Sequence, residues 1–402
     1  MLLSNVTRRR FMGGLATALG MAGLSPFEIM AQQRGRRGAA ASADPNAPKK
    51  DPVVEYDKMA KLANNENPYG PPESVLKAMN DAWKYANRYG YPDGGIREAI
   101  ANHHGVKPEN VLISAGSGEI LKVIDTTYLP AHKYFVGADP TYDSMYNYVT
   151  QSKGMAIKIP LRKDYTADID AMIHAAKMHA RDVGVVYLCN PNNPTGNIIP
   201  KNEIKKLLDS VPEDMTVFID EAYHHFVDNP NYESSIKTEY LKEGRRVIVA
   251  RTFSKIAALA GMRLGYAIAP PDMIAEMQPQ MIGSISAIVK WGGVAALKDT
   301  ANEAKVKAIN KQLRDRTTAE LAAYGYETIP SDTNFFMVNT RTDVGPLGQK
   351  FAEKYVLVGR KFPPMDTWLR VSIGTDDEMK RFITAFKEIL PAGKPSTSAA
   401  GA

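Results

Sequence analysis

From residue 73 to residue 269, short runs of apolar, often β-branched residues alternate with longer stretches in which apolar positions recur every three or four residues. The short runs predict buried strands, among them 111–113, 134–137, 185–189, 217–220 and 247–251, and the longer ones predict helices such as 119–127. Strands apolar at nearly every position, alternating with helices, predict a mostly parallel sheet covered on both faces, an α/β/α sandwich. Pro270-Pro271 breaks this pattern. Beyond it, 273–323 is mainly helical in period, 334–339, 356–359 and 368–372 read as strands, and 376–389 reads as a closing helix. The expected fold is therefore α/β, with a large domain over 73–270 and a small α+β C-terminal domain over 271–390. Residues 44–72 read as a flexible lead-in followed by an arm at 64–70, and the Pro-, Gly-, Ser- and Ala-rich 391–402 as a disordered tail. No internal repeat is evident.

The first 43 residues follow a different pattern. Thr7-Arg8-Arg9-Arg10-Phe11-Met12 precedes a Gly- and Ala-rich apolar stretch running to Leu24. A basic flank, a short apolar core and small residues afterwards predict a signal peptide, with cleavage near Ala41-Ser42-Ala43 or at Ile29-Met30-Ala31. The stretch is too short and too glycine-rich for a membrane span. Paired arginines before a phenylalanine resemble a twin-arginine (Tat) leader. That resemblance implies engagement of the Tat export machinery and a periplasmic location, or a cytoplasmic one if the leader is not used.

Charge sharpens this division. Of 50 Lys/Arg and 44 Asp/Glu, eight and two fall in residues 1–50, which leaves 42 of each in the rest. The basic excess belongs to the leader, so a nucleic-acid-binding function has no compositional support. The single cysteine, Cys189, excludes an intrachain disulfide and reads as a small buried residue rather than a nucleophile. No His/Cys spacing suggests a metal site. His103-His104 and His224-His225 read as ordinary surface or partly buried histidines.

Three strand ends carry candidate chemistry. Residues 247–251 lead into Thr252-Phe253-Ser254-Lys255, with Arg263 and Gly265 shortly after. A buried lysine near positive charge loses part of its proton affinity and can attack a carbonyl to form a Schiff base. A hydroxyl and a guanidinium beside it, Ser254 and Arg263, suit a phosphate dianion. Residues 217–220 deliver Asp220 to the edge where open α/β sheets bind ligands, with Glu221-Ala222-Tyr223 following. Asp220 could pair with a protonated pyridine nitrogen, and Tyr223 could donate to a phenolate oxygen on the same ring. Residues 185–189 run into Asn190-Pro191-Asn192-Asn193-Pro194-Thr195-Gly196, a rigid turn that offers the Asn193 amide to that same oxygen. Together these describe a site for pyridoxal 5′-phosphate.

In this order, each after a strand, the motifs resemble the fold-type I pyridoxal-phosphate aminotransferases, and within them the histidinol-phosphate aminotransferase branch. The resemblance spans roughly 64–390 and includes Asn65-Glu66-Asn67-Pro68-Tyr69-Gly70 and Leu369-Arg370-Val371-Ser372. It implies that Lys255 is the Schiff-base lysine and proton shuttle, Asp220 the pyridinium partner, and Tyr223 and Asn193 the ligands of the phenolate oxygen. It makes Ser254 and Arg263 phosphate ligands, and Tyr142, in Asp139-Pro140-Thr141-Tyr142, the ring over the pyridine. Gly116, Ser117 and Gly118 would form the phosphate turn at a helix N-terminus. At that turn the family usually has Gly-Ala-Asp-Glu, whereas this chain has Gly116-Ser117-Gly118-Glu119. Arg370, Asn67 and Tyr69 are implied substrate contacts. A homodimer is implied as well, in which Tyr91 reaches the other subunit's cofactor phosphate.

The expected function is transfer of an amino group between an amino donor and a 2-oxo acid such as 2-oxoglutarate. Alternatives are an aromatic or other amino acid aminotransferase, a decarboxylase resembling the threonine-phosphate decarboxylases, and a catalytically silent ligand-binding homologue. Binding alone would not require Lys255, which counts against the last.

Overall fold

The computed structural model describes residues 52–236, 239–241 and 244–393, so the predicted leader and its arginine pair lie outside the described residues. The chain divides into a unit of Met1–Met59 and a unit of Ala60–Ala402. In the first, the described part of the lead-in expected to be flexible forms the helix Pro52–Lys58, while 44–51 lie outside the described residues. Proline opens it and the Lys58–Glu55 ion pair (2.9 Å) spans one turn, both favourable at those positions.

The second unit is built on a seven-stranded sheet. Its strands are β2 (Val111–Ser114), β3 (Tyr134–Asp139), β4 (Met155–Pro160), β5 (Val183–Cys189), β6 (Thr216–Asp220), β7 (Val247–Thr252) and β8 (Gly265–Ile268), after a short β1 (Ala60–Leu62). Their spatial order is β2-β8-β7-β6-β5-β3-β4, parallel from β4 through to β7, with β8 antiparallel to both its neighbours. Residues of β5, β6 and β7 alternate between two cores. Val186, Leu188, Val217, Ile219, Val247 and Val249 pack with helices Ile96–His104, Ile169–Met178 and Lys201–Ser210. Val185, Tyr187, Phe218, Ile248 and Ala250 pack on the other face with helices Ser117–Tyr128 and Ser144–Gln151. Burial on both faces is why these strands lack polar alternation. Each fully buried large side chain contributes about 1.5–3 kcal/mol.

Beyond β8 come three helices, Pro271–Met277, Ala287–Lys298 and Thr300–Ala323, with 281–286 extended between the first two. Then β9 (Thr328–Ile329), β10 (Phe335–Asn339) and β12 (Trp368–Ser372) form an antiparallel sheet, while β11 (Val356–Val358) pairs in parallel with β1. The helix Asp376–Ile389 closes this region, started by a capping box between Thr375 and Glu378. Phe336, Val338, Phe351, Phe382 and Phe386 form its core together with Ala60 and Leu62. Residues 60–62, placed by pattern in a lead-in and arm, are thus strand and core of this region. The expected tail also begins later than its composition implies: Tyr326 Oη donates to Pro391 O at 2.7 Å, and Gly393 N to Tyr324 O at 3.0 Å.

Candidate active site

The C-terminal ends of β2, β3, β5, β6 and β7 lie along one edge of the sheet, and each leads into a candidate residue. Lys255 follows β7 and is partly buried, its Nζ donating to Asn64 O at 3.1 Å. Burial lowers its ammonium to about 8, helped by Arg370 and Arg263 and opposed by Glu66 and Asp220. Asp220 ends β6 with 3% exposure and accepts from Ala222 N (3.1 Å) and Tyr187 Oη (3.3 Å). Burial pushes its carboxyl up to about 6, and those hydrogen bonds and Lys255 hold it from rising further. A cation brought beside it would draw it back towards the ionised form.

Tyr223 is buried, edge-on to Phe335 with ring centroids 5.0 Å apart. Its Oη accepts from Asn65 Nδ2 (3.0 Å) and Asn193 Nδ2 (3.4 Å). Both oxygen lone pairs are then occupied, so the phenolic proton is left for a third partner. Arg370, on β12, donates through Nη1 to Asn193 Oδ1 (2.7 Å) and through Nη2 to Ala63 O (2.6 Å). Its Nε is buried without a protein partner. Burial lowers the guanidinium to about 10.

At the end of β2, Gly116 has φ +81° and precedes the helix Ser117–Tyr128, with no side chain capping the first turn. A Cβ on Gly116 would stand 2.4 Å from Arg263 Nη2, and one on Gly265 would stand 2.5 Å from Ser117 N. Two glycines thus let the turn, β8 and the Arg263 guanidinium close on one another. Glu119 takes Ala115 N (2.6 Å) and Gly283 N (3.0 Å). Exposed helix amides, Arg263 and the Ser254 hydroxyl suit a phosphate.

Ser117, Gly118, Tyr142, Asn193, Asp220, Tyr223, Ser254, Lys255, Arg263 and Arg370 all line one cleft of about 470 Å³. Gly116 lies beneath it, against Arg263. Asn67, Tyr69 and Tyr91 do not line it. Asn67 Nδ2 donates to Ile256 O at 2.8 Å, one residue past the lysine, Tyr69 is 45% exposed, and Tyr91 Oη donates to Ile285 O. Asn64, Asn65, Glu66, Thr141, Asp143, Thr252, Arg360 and Phe362 are among the other residues of the lining. Asn65 and Thr141 stand inside motifs already legible in the chain, whereas Arg360 carries no sequence signal. Cys189 lines the cleft too, but burial raises its thiol well above the usual range, and Sγ contacts Pro191 O at 3.4 Å. It is not a thiolate nucleophile.

Behind Asp220, Glu221 forms a buried ion pair with Arg251 (2.7 Å) and accepts from Ser235 N at 2.6 Å. Arg251 also contacts His224, whose ring is tilted against that of His225 with centroids 3.5 Å apart. The two are adjacent in sequence and sit on the 3-10 turn His224–Phe226. Among the described residues no His/Cys/Asp/Glu cluster suits a metal, and no helix is long and apolar enough to cross a membrane. The residues fit pyridoxal phosphate: a phosphate cradle that a Cβ on Gly116 would fill, a lysine poised to lose its proton, a buried carboxylate, and an orphaned Arg370 Nε.

The model of the family described as aminotransferase class I and II matches residues 57–386. The histidinol-phosphate aminotransferase of Moorella thermoacetica is 37% identical over 369 residues, covering 88% of this chain and 92% of that protein. That of Caldicellulosiruptor saccharolyticus is 33% identical over 342 residues, covering 83% and 92%. Among solved structures, histidinol-phosphate aminotransferase from Sinorhizobium meliloti in complex with pyridoxal-5′-phosphate superposes with TM-score 0.76 at 25% identity, covering 92% of this chain and 98% of that one.

Proposed function

The chain belongs to the class I and II aminotransferases and is a pyridoxal-phosphate-dependent transaminase, and from that premise we propose that it exchanges an amino group between histidinol phosphate or a similar acidic donor and 2-oxoglutarate. One observation carries the reading: Lys255, its ammonium lowered to about 8, shares a cleft with buried Asp220 and Arg370.

When bound, pyridoxal phosphate supplies an electrophilic carbonyl and a ring that accepts the electron pair left on the substrate Cα. The protein does the rest. Arg263, Ser254 and the amides opening helix Ser117–Tyr128 hold the phosphate. Asp220 keeps the ring nitrogen protonated, and Tyr223 and Asn193 donate to the phenolate oxygen. Tyr142 offers a flat ring on the cleft wall. Lys255, about a tenth unprotonated at pH 7 with its ammonium near 8, would take the Cα proton and deliver it across the amino nitrogen to the cofactor's carbonyl carbon. Arg370 grips one acidic group of the substrate, and Arg360, beside it on the cleft wall, takes the second where the substrate, like 2-oxoglutarate, carries two.

Two further elements belong to this reading. A homodimer would bring Tyr91 to a neighbouring site, and the arginine-pair leader would send the folded enzyme to the periplasm. Export sits awkwardly with histidine synthesis, so another acidic amino donor is the second reading. A panel of donors, including histidinol phosphate, against 2-oxoglutarate with purified mature enzyme decides. Release of carbon dioxide rather than a keto product would replace transamination with decarboxylation.

A further inference from the structure

Asp143 and Arg360 both line the cleft, Asp143 just after Tyr142 and Arg360 just after β11. Asp143 precedes helix Ser144–Gln151 with helical dihedrals (φ −75°, ψ −8°), and its side chain accepts from none of the helix's first amides. Its Oδ2 instead accepts from Arg360 Nη2, 217 residues away in the chain, although both side chains remain almost half exposed. Arg360 is otherwise held by its Nη1 bond to Lys361 O (3.0 Å) and by the Phe362 ring, 4.2 Å from its guanidinium carbon. The Arg370 guanidinium faces the same ring at 4.8 Å. Two guanidiniums therefore flank one aromatic ring with different partners: Arg370 is bonded to neutral acceptors, and Arg360 to a carboxylate.

We propose that Asp143 is a built-in counter-ion, displaced from Arg360 by a substrate's second acidic group, and that it thereby sets the preference between substrates with one and with two anionic groups. The proposal rests on the reading that Arg370 and Arg360 receive those groups. A substrate with an uncharged side chain leaves the pair closed, so Arg360 is never left without a partner. A dicarboxylate opens it and replaces one carboxylate contact with another on the same planar fork. An exposed ion pair is weak, so Asp143 tunes the choice by about two- to fivefold rather than forbidding either class.

The test uses Asp143→Asn, which preserves shape, in the cofactor-loaded enzyme. Succinate and butyrate, a dianion and a monoanion of equal chain length, are titrated by calorimetry, and KM is measured for 2-oxoglutarate and phenylpyruvate. The expected result is succinate binding about two- to fivefold tighter with butyrate unchanged, a matching fall in KM for 2-oxoglutarate alone, and no effect of the substitution once Arg360→Gln is present. Equal shifts for both probes, or none, overturn the proposal. Arg360→Gln alone separates the two levels. If it weakens succinate but Asp143→Asn changes nothing, the counter-ion role falls by itself. If Arg360→Gln affects neither probe, the assignment of Arg360 to a second acidic group falls and takes the proposal with it.

Discussion

Arg370 Nη1 donates to Asn193 Oδ1 at 2.7 Å across 177 residues of chain. An amide that accepts there must turn Nδ2 the other way, and Nδ2 reaches Tyr223 Oη at 3.4 Å. The arginine assigned to the substrate's acidic group therefore also orients the amide assigned to the cofactor's phenolate oxygen.

Arg370→Lys keeps the charge and loses the fork. KM for acidic substrates should rise by roughly one to two orders of magnitude. Because Asn193 also loses its partner, the pH-dependent absorbance of the bound cofactor should shift, which simple loss of a substrate contact would not cause. An unchanged KM for every acidic substrate would remove Arg370 from the clamp.

Lys255 must be neutral to capture the cofactor, and its ammonium lies near 8. Reconstitution of cofactor-free enzyme should speed up about tenfold between pH 7 and pH 9 and then level off. Lys255→Ala should lose both the covalent chromophore and turnover. Borohydride trapping on another lysine would show the assignment to be wrong.

Asp220 makes a stability prediction with a definite sign. Its folded value, about 6, lies above the 3.8 of the free group, so the folded state binds the proton more tightly. The stability this contributes is complete below about pH 4 and is lost as pH rises through about 6, on the order of 3 kcal/mol. Cofactor-free Asp220→Asn should therefore melt above cofactor-free wild type at pH 8 and alongside it at pH 4. The same variant, loaded, should lose most of kcat. Near-normal turnover would take Asp220 out of the electron-sink role.

Gly116→Ala places a Cβ 2.4 Å from Arg263 Nη2 at a residue with φ +81°. The arginine has to leave the turn. Affinity for pyridoxal phosphate should fall at least about tenfold, as for loss of one charged hydrogen bond, with the far-ultraviolet dichroism unchanged. Equilibrium dialysis reads this directly, and undiminished affinity would free Arg263 from the phosphate role.

Replacing Arg8 and Arg9 with lysine keeps the leader's charge and removes the pair that a Tat receptor reads. The enzyme should then accumulate in the cytoplasm, folded and active. Normal amounts in the periplasm would mean a leader of another type.

Much of the sheet was legible because its central strands are buried on both faces. The apolar runs of β5, β6 and β7 end at the polar residues Asn190, Asp220 and Arg251. Asp220 itself stands at such an end, whereas Asn193 and Lys255 lie three and four residues beyond one and stood out by motif, and Arg251 turns back into the core onto Glu221. Edge strand β4 carries no such mark, since most of its side chains are exposed.

Pattern fails where a residue's partner is distant in sequence. Asn65 looks like any arm asparagine, yet it is 1% exposed and bonded to both Tyr223 and Ser372. Asn67 and Tyr69 sit in an equally suggestive motif and fall outside the cleft. Arg360 was silent because nothing local distinguishes a guanidinium on a cleft wall from one in water. The sequence by itself determined which central strands of the large sheet are buried and about where they end, because burial on both faces dictates their apolar runs. Only the tertiary structure decided which strand ends face one another and which distant side chains meet there, because those contacts depend on packing between segments that carry no information about each other.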